Sequence, residues 1–238
     1  MPAPPKERAR RILRAARARG QSMLSEHEAK RVLAAYGVPV SRERLVATQA
    51  EARSAAALIG YPVVLKACSA AEAHKTEKGL IAVGLASPRA LTDALRAMKA
   101  RAGAGFDGAW LVQEMVKGSR EIMIGMTRDP VFGPSVAFGL GGIFTEVLQD
   151  VVFRVAPLSK ADAHAMLDGI RARRILDAVR GMPAVDRDAL AASLIAVGRV
   201  ALDHPEIAEI DINPLIVRGR KAVAVDALMV LDAAEGEG

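Results

Sequence analysis

The sequence predicts an α/β or α+β body in two lobes, and three observations carry that expectation. Helix–strand units with recognisable start and stop signals fill the first hundred residues. Short apolar segments separated by glycines and by Asp129-Pro130 then occupy residues 109–155. Helical periodicity returns over 159–180 and 186–202, and a final pair of strand-like segments covers 206–212 and 214–226. Early helix–strand units followed by a glycine-punctuated sheet suit such a two-lobed body.

Each element has a local reason. Ser25 and Glu28 have capping-box spacing, and apolar or small residues at 29, 32, 33 and 36 form a helical stripe that stops at Gly37. Thr48 and Glu51 repeat the signal for a second helix, closed by Gly60. Val63-Val64-Leu65-Lys66-Ala67 is short and β-branched, so it reads as a buried strand. Ser87-Pro88 opens another helix, with proline in the tolerated first position. Strands are expected at 110–114, 121–127, 135–140 and 146–155, and Arg218-Gly219-Arg220 turns the last pair. The expected organisation is a basic extension over 1–20 and one domain over 21–238, with lobes of about 21–110 and 111–238.

With 51% apolar and 25% charged residues, the chain has the composition of a globular protein rather than a disordered one. No apolar run reaches membrane-spanning length, and the N-terminus has no hydrophobic leader. A single cysteine, Cys68, excludes an internal disulfide framework and fits a reducing cytoplasm. It reads as a small core residue. The net charge of +6 is local: seven basic residues and only Glu7 lie in 1–20, and the rest of the chain is neutral. That segment reads as a frayed solvated helix, a contact for an acidic partner or a weak RNA-binding tail. One Trp, two Tyr and five Phe supply no stacking platform, which argues against a nucleic-acid function.

Four places carry more polarity or glycine than their surroundings require. Lys66 ends an apolar strand, where its amine either snorkels to water or meets an anion such as a phosphate. His74 stands beside Lys75, Thr76 and Glu77, a setting in which imidazole can act as nucleophile or base. His27, His164 and His204 lie in or at the ends of helices and read as surface residues. Gly139, Gly141 and Gly142 form either a backbone phosphate cradle or a β-bulge. Glu209, Asp211 and Asn213 share a strand face, and Asp226 follows the next turn. They are either oxygen ligands for magnesium or a solvated sheet edge. If 214–217 pairs with 223–226, Asn213 and Asp226 converge.

These residues, read in order, resemble the ATP-grasp (beta) subunit of the NDP-forming, chiefly ADP-forming, acyl-CoA synthetases, a family related to succinyl-CoA synthetase beta. The resemblance runs from about Leu24 to Leu231. It includes Ser25-Glu26-His27-Glu28-Ala29-Lys30, Tyr36-Gly37-Val38-Pro39, Tyr61-Pro62-Val63-Val64-Leu65-Lys66 and His74-Lys75-Thr76-Glu77. It continues through Gln113-Glu114-Met115-Val116, Phe138-Gly139-Leu140-Gly141-Gly142-Ile143, Asp211-Ile212-Asn213-Pro214-Leu215 and Asp226-Ala227.

The resemblance implies an ATP-grasp fold whose two lobes enclose a nucleotide site, with ATP or ADP and Mg2+ as cofactors. Lys66 matches the lysine that reaches the nucleotide phosphates and serves catalysis. Glu114 and Val116 match the adenine hinge, and Glu121 the ribose neighbourhood. Gly141 and Gly142 match the glycine segment near the phosphates. Asn213 and Asp226 match magnesium ligands, with Asp211 a further or indirect one. In the resembling synthetases a histidine of the alpha subunit belongs to the phosphoryl relay, and His74 matches a second histidine that can take the phosphoryl group near the nucleotide site on its way to ADP. The implied net reaction interconverts acyl-CoA, ADP and phosphate with carboxylic acid, ATP and CoA. It requires a CoA-binding alpha subunit, in an α2β2 assembly.

The chain departs from the family pattern at Gly79-Leu80, where two adjacent glycines usually follow the histidine motif. A leucine forced to positive φ would be strained there. The other readings are an ATP-grasp carboxylate ligase with a different acceptor and a catalytically weakened nucleotide-binding regulatory subunit.

Overall fold

The computed structural model describes residues 3–70, 79–103, 105–142 and 149–232. They fall into two compact units. One comprises Ser25–His27 and Ser41–Val116, and the other Met1–Leu24, Glu28–Val40 and Lys117–Gly238.

The first unit is built on a four-stranded antiparallel sheet containing β1 (Glu43–Val46), β2 (Val63–Cys68), β3 (Ile81–Leu85) and β4 (Ala109–Glu114), in the order β1-β4-β2-β3. Two helices, α3 (Gln49–Ile59) and α4 (Pro88–Ala102), pack with it. The Thr48 hydroxyl accepts from the Glu51 amide at 3.2 Å, and the Glu51 carboxylate accepts from the Thr48 amide at 3.2 Å, so the expected capping box is formed. Gly60 ends α3 at φ +97°. Ser87 caps α4 through the Ala90 amide at 3.2 Å. Along β2, Val63, Leu65 and Ala67 join the core with Ala52, Ala56, Leu91 and Leu95. The strand period of two therefore turns Lys66 to the other sheet face.

The second unit holds a six-stranded antiparallel sheet made of β5 (Glu121–Asp129), β6 (Gly133–Leu140), β7 (Val151–Val155), β8 (Ile207–Arg218), β9 (Lys221–Ala224) and β10 (Leu228–Leu231). The order is β10-β8-β5-β6-β7, with β9 also paired to β8. Residues from α1 (Pro5–Ala18), α2 (Glu26–Ala35), α5 (Lys160–Gly169) and α6 (Arg187–Asp203) share one apolar core with this sheet. Ser159 and Asp162 form a capping box at α5, and Asp186 caps α6.

β8 runs through Asn213 and Pro214 instead of stopping there. Ile212 pairs with Ile124 and Leu215 with Ile122, so two residues of β8 oppose Met123 alone. This bulge changes the phase of the strand. Ile210 and Ile212 before it, and Leu215 and Val217 after it, are all buried despite the odd spacing.

Three expectations need correction. The helix over 159–180 is broken: α5 ends at Gly169 and a 3-10 turn follows at Arg173–Leu176. The buried Asp150 carboxylate accepts from the Arg171 and Ala172 amides at 2.8 and 2.7 Å, which holds the chain out of the α-helical path. His204 is buried at 1% exposure rather than surface-solvated, because Tyr36 packs edge-on against it and their Oη and Nε2 atoms are 3.1 Å apart. The basic N-terminal segment is also more than a solvated tail. Ala9, Leu13 and Ala16 of α1 are fully buried at i, i+4 and i+7. Burial of Leu13 alone is worth about 1.5–3 kcal/mol. Cys68 is buried, as expected. No helix among the described residues is long and apolar enough to cross a membrane.

Candidate functional site

In the four-stranded unit, Lys66 is 3% exposed, so snorkelling to water does not describe it. Its Nζ donates to Glu26 Oε1 at 2.8 Å, and Glu26 is itself 3% exposed. Glu26 is the first residue of α2, where the helix dipole favours a carboxylate. Glu114, at the end of β4, is also buried. Its Oε1 accepts from the Arg42 amide at 2.9 Å, and its Oε2 accepts from Arg42 Nε and Nη2, both at 3.2 Å. Val116 is 7% exposed. The Glu114 carboxylate thus fixes the local backbone path at this strand end.

In the six-stranded unit, the acidic residues of β8 gather as their alternation requires. Asp211 is held up at about 6, chiefly by desolvation and then by the charges of Glu209 and Asp226. Its Oδ1 is buried without a hydrogen-bond partner among the described residues. The Val225 amide donates to the Pro214 carbonyl at 3.2 Å, and Leu215 pairs with Ala224, so the strand register sets Asn213 opposite Asp226. The expected convergence is present.

The glycine segment joins the same constellation. Gly142, at φ +61°, donates its amide to Asn213 Oδ1 at 3.0 Å. The Gly141 amide donates to the Glu121 carbonyl at 2.9 Å. A Cβ on Gly142 would lie 2.0 Å from Glu121 Oε2, and one on Gly141 would lie 2.7 Å from the Ile122 carbonyl oxygen. Gly142→Ala therefore meets a left-handed backbone penalty of about 1–2 kcal/mol, and its methyl must turn the Glu121 carboxylate aside. We expect it to lower the melting temperature and weaken Mg-nucleotide binding at least about tenfold. A titration giving wild-type affinity would contradict the close approach.

The donor set suits magnesium. Asp211, Asp226 and Asn213 offer hard oxygen atoms, and the unpartnered Asp211 oxygen is what a cation would satisfy. Among the described residues no group of three His, Cys, Asp or Glu side chains could hold a metal. Two carboxylates and an amide are sufficient when substrate phosphates complete the shell, the usual arrangement for magnesium.

His74 lies outside the described residues, as do Ile143 and the rest of the glycine segment through 148. Leu80, however, is described. Positive φ falls on Gly79, at +63°, and not on Leu80, which is buried and accepts the Ala67 amide at 2.9 Å. The departure from the family pattern thus imposes no backbone strain at Leu80.

Sequence reasoning missed several supporting residues. Lys30, 1% exposed, donates to the carbonyl of Val225 at 3.5 Å, next to Asp226. Arg120 is buried and donates to the carbonyls of Ile175, Asp177, Pro183 and Gly219 at 2.8–3.2 Å. It anchors the chain immediately before Glu121. Arg42 and Glu26 complete the set. All four lie in charged or polar stretches where one more charge gives no local signal, and each partner is distant in sequence.

Comparison with known proteins gives this arrangement a context. The ATP-grasp domain family matches residues 15–231. The acetate–CoA ligase [ADP-forming] I subunit beta of Pyrococcus furiosus is 41% identical over 228 residues, covering 94% of this chain and 98% of that one. The longer acetate–CoA ligase [ADP-forming] I of Archaeoglobus fulgidus is 41% identical over 203 residues, covering 84% of this chain but only 30% of that protein. Among solved structures, the dinucleotide-forming acetyl-coenzyme A synthetase 1 of Candidatus Korarchaeum cryptofilum matches with a TM-score of 0.84 and 40% identity, covering 94% of this chain and 99% of that chain. That structure is a complex with coenzyme A and Mg-AMPPCP, its phosphohistidine segment pointing towards the nucleotide-binding site.

Proposed function

The chain belongs to the ATP-grasp family of ADP-forming acyl-CoA ligase beta subunits, and from that premise we propose that it supplies the nucleotide and magnesium side of such an enzyme. The reaction interconverts acyl-CoA, ADP and phosphate with carboxylic acid, ATP and CoA through a phosphohistidine relay. The observation that carries the reading is the acidic face of β8, with an unpartnered Asp211 oxygen beside the Asn213–Gly142 hydrogen bond.

The residue roles follow from charge and reach. Lys66 offers a cation to the nucleotide phosphates, and the Gly141-Gly142 turn, bare of side chains, leaves room for phosphoryl oxygens to approach the backbone. The strand end at Glu114 and Val116 holds the adenine, and Glu121 stands near the ribose. Asp211, Asn213 and Asp226 hold magnesium, whose chemistry is to offset charge on the phosphates. His74 is the relay nucleophile. In the ATP-forming direction, phosphate oxygen displaces CoA from acyl-CoA to give acyl phosphate. An imidazole nitrogen of the alpha subunit then attacks phosphorus, and the carboxylate leaves; His74 takes the phosphoryl group in turn, breaking that first nitrogen–phosphorus bond. A β-phosphate oxygen of ADP finally attacks the same phosphorus, and the nitrogen–phosphorus bond breaks. Splitting the transfer in this way keeps each nucleophile close to its target.

Acyl-CoA recognition falls to a CoA-binding alpha subunit, with α2β2 as the assembly; the relative named a beta subunit is covered over 98% of its length, and the longer relative over 30%. The cytoplasm is the compartment for this chemistry. The purified chain alone is expected to bind Mg-ADP and show less than about 1% of the turnover of the reconstituted pair. Full acyl-CoA-dependent ATP formation by the chain alone would reject the division of labour.

A further inference from the structure

The ion pair between Glu26 and Lys66 goes beyond the assignment of Lys66 to nucleotide phosphates. Both residues are 3% exposed, and the Nζ–Oε1 distance is 2.8 Å. The lysine stands on the β2 face turned away from α3 and α4. Burial disfavours a charged ammonium, so a lysine in this position tends to lose its proton unless an anion faces it. An unprotonated amine could neither attract nor donate three hydrogen bonds to a phosphate.

Glu26 provides the facing anion before any nucleotide arrives. Its own charge is supported by the α2 N-terminus. The first turn of α2 is held to the sheet by a second contact: His27 Nδ1 lies 2.9 Å from Glu43 Oε1 on β1. The carboxylate is therefore delivered by a helix end fixed to the sheet that carries the lysine. We propose that Glu26 is a positioning residue that keeps the Lys66 ammonium charged and aimed for the nucleotide phosphates. This rests on Lys66 being the phosphate-binding lysine.

The test is Mg-ADP affinity of the full chain from pH 6.5 to 9, measured by calorimetry for wild type, Glu26→Gln and Lys66→Met. Wild type is expected to change less than about twofold over the range. Glu26→Gln should match it at pH 6.5 and bind at least about tenfold more weakly at pH 9, as the buried amine without the Glu26 carboxylate gives up its proton more readily. Parallel profiles for Glu26→Gln and wild type would overturn the proposal while leaving the lysine assignment intact. Unchanged affinity in Lys66→Met would overturn the lysine assignment itself. Should Glu26→Gln fail to fold, 15N-lysine NMR of the wild-type chain decides the matter. A Lys66 ammonium persisting at pH 9 supports the proposal, and a neutral amine at pH 8 defeats it.

Discussion

His74→Ala is expected to reduce ATP formation by the reconstituted enzyme about 10³–10⁶-fold while leaving Mg-ADP affinity within about twofold of wild type. The split follows from the division of roles. In the proposed division, nucleotide binding falls to Lys66, the glycine turn and the β8 acids, none of which is altered. Alanine removes the nucleophile on which the phosphoryl group pauses and has no lone pair to accept it. Acid-labile phosphate on this chain, formed from ATP, should disappear in parallel. Turnover within about tenfold of wild type, or undiminished labelling, would assign the relay to another residue. A fall in both turnover and affinity would instead implicate the histidine in binding.

The parts of the fold legible in the sequence are those specified locally. Thr48 with Glu51, Ser87 with Pro88, and Gly60 each mark a helix boundary by contacts within a few residues, and each boundary falls where expected. The missed elements lack such signals. β3 buries neither face well, so Ile81–Leu85 shows no alternation. The stop at Gly169 depends on Asp150, about twenty residues earlier. In α1, a stripe of alanines with one leucine is buried among arginines that dominate the local composition. The site divides in the same way. Asp211 and Asn213 share a face by simple alternation, and Asp226 returns beside them through a hairpin. Lys66 was recognisable as an anomaly, but its partner was not, because Glu26 lies forty residues away on a helix. The bulge at Asn213-Pro214 was invisible since only the pairing with β5 reveals it.

Asp211→Asn should make the ligand-free chain more stable and the liganded enzyme less competent. The folded protein holds Asp211 at about 6, against an ordinary 3.8, through desolvation first and then Glu209 and Asp226. A raised carboxyl means that the folded state binds the extra proton between these values. Stability therefore falls as pH rises from about 4 to about 6 and carries the full cost above that. The gap corresponds to at most about 3 kcal/mol, and water reaching the half-buried side chain reduces it. Asparagine has nearly the same shape and no charge to desolvate. Its advantage in melting temperature should be small near pH 4, grow to pH 6.5 and remain level to pH 8, at about 2–4 °C per kcal/mol. Mg-ADP should reverse the order, because a bound cation offsets the charge that isolation makes costly and asparagine offers it a weaker ligand. The variant should thus gain less thermal stability from Mg-ADP than wild type does. If the two melting curves stay parallel across pH, with and without Mg-ADP, the burial of Asp211 carries no cost and the residue is of no consequence to the metal. If only the ligand-free advantage appears, the carboxylate is strained but not a ligand. Appearance of both effects identifies Asp211 as a group whose unfavourable burial is retained because magnesium binding uses its charge.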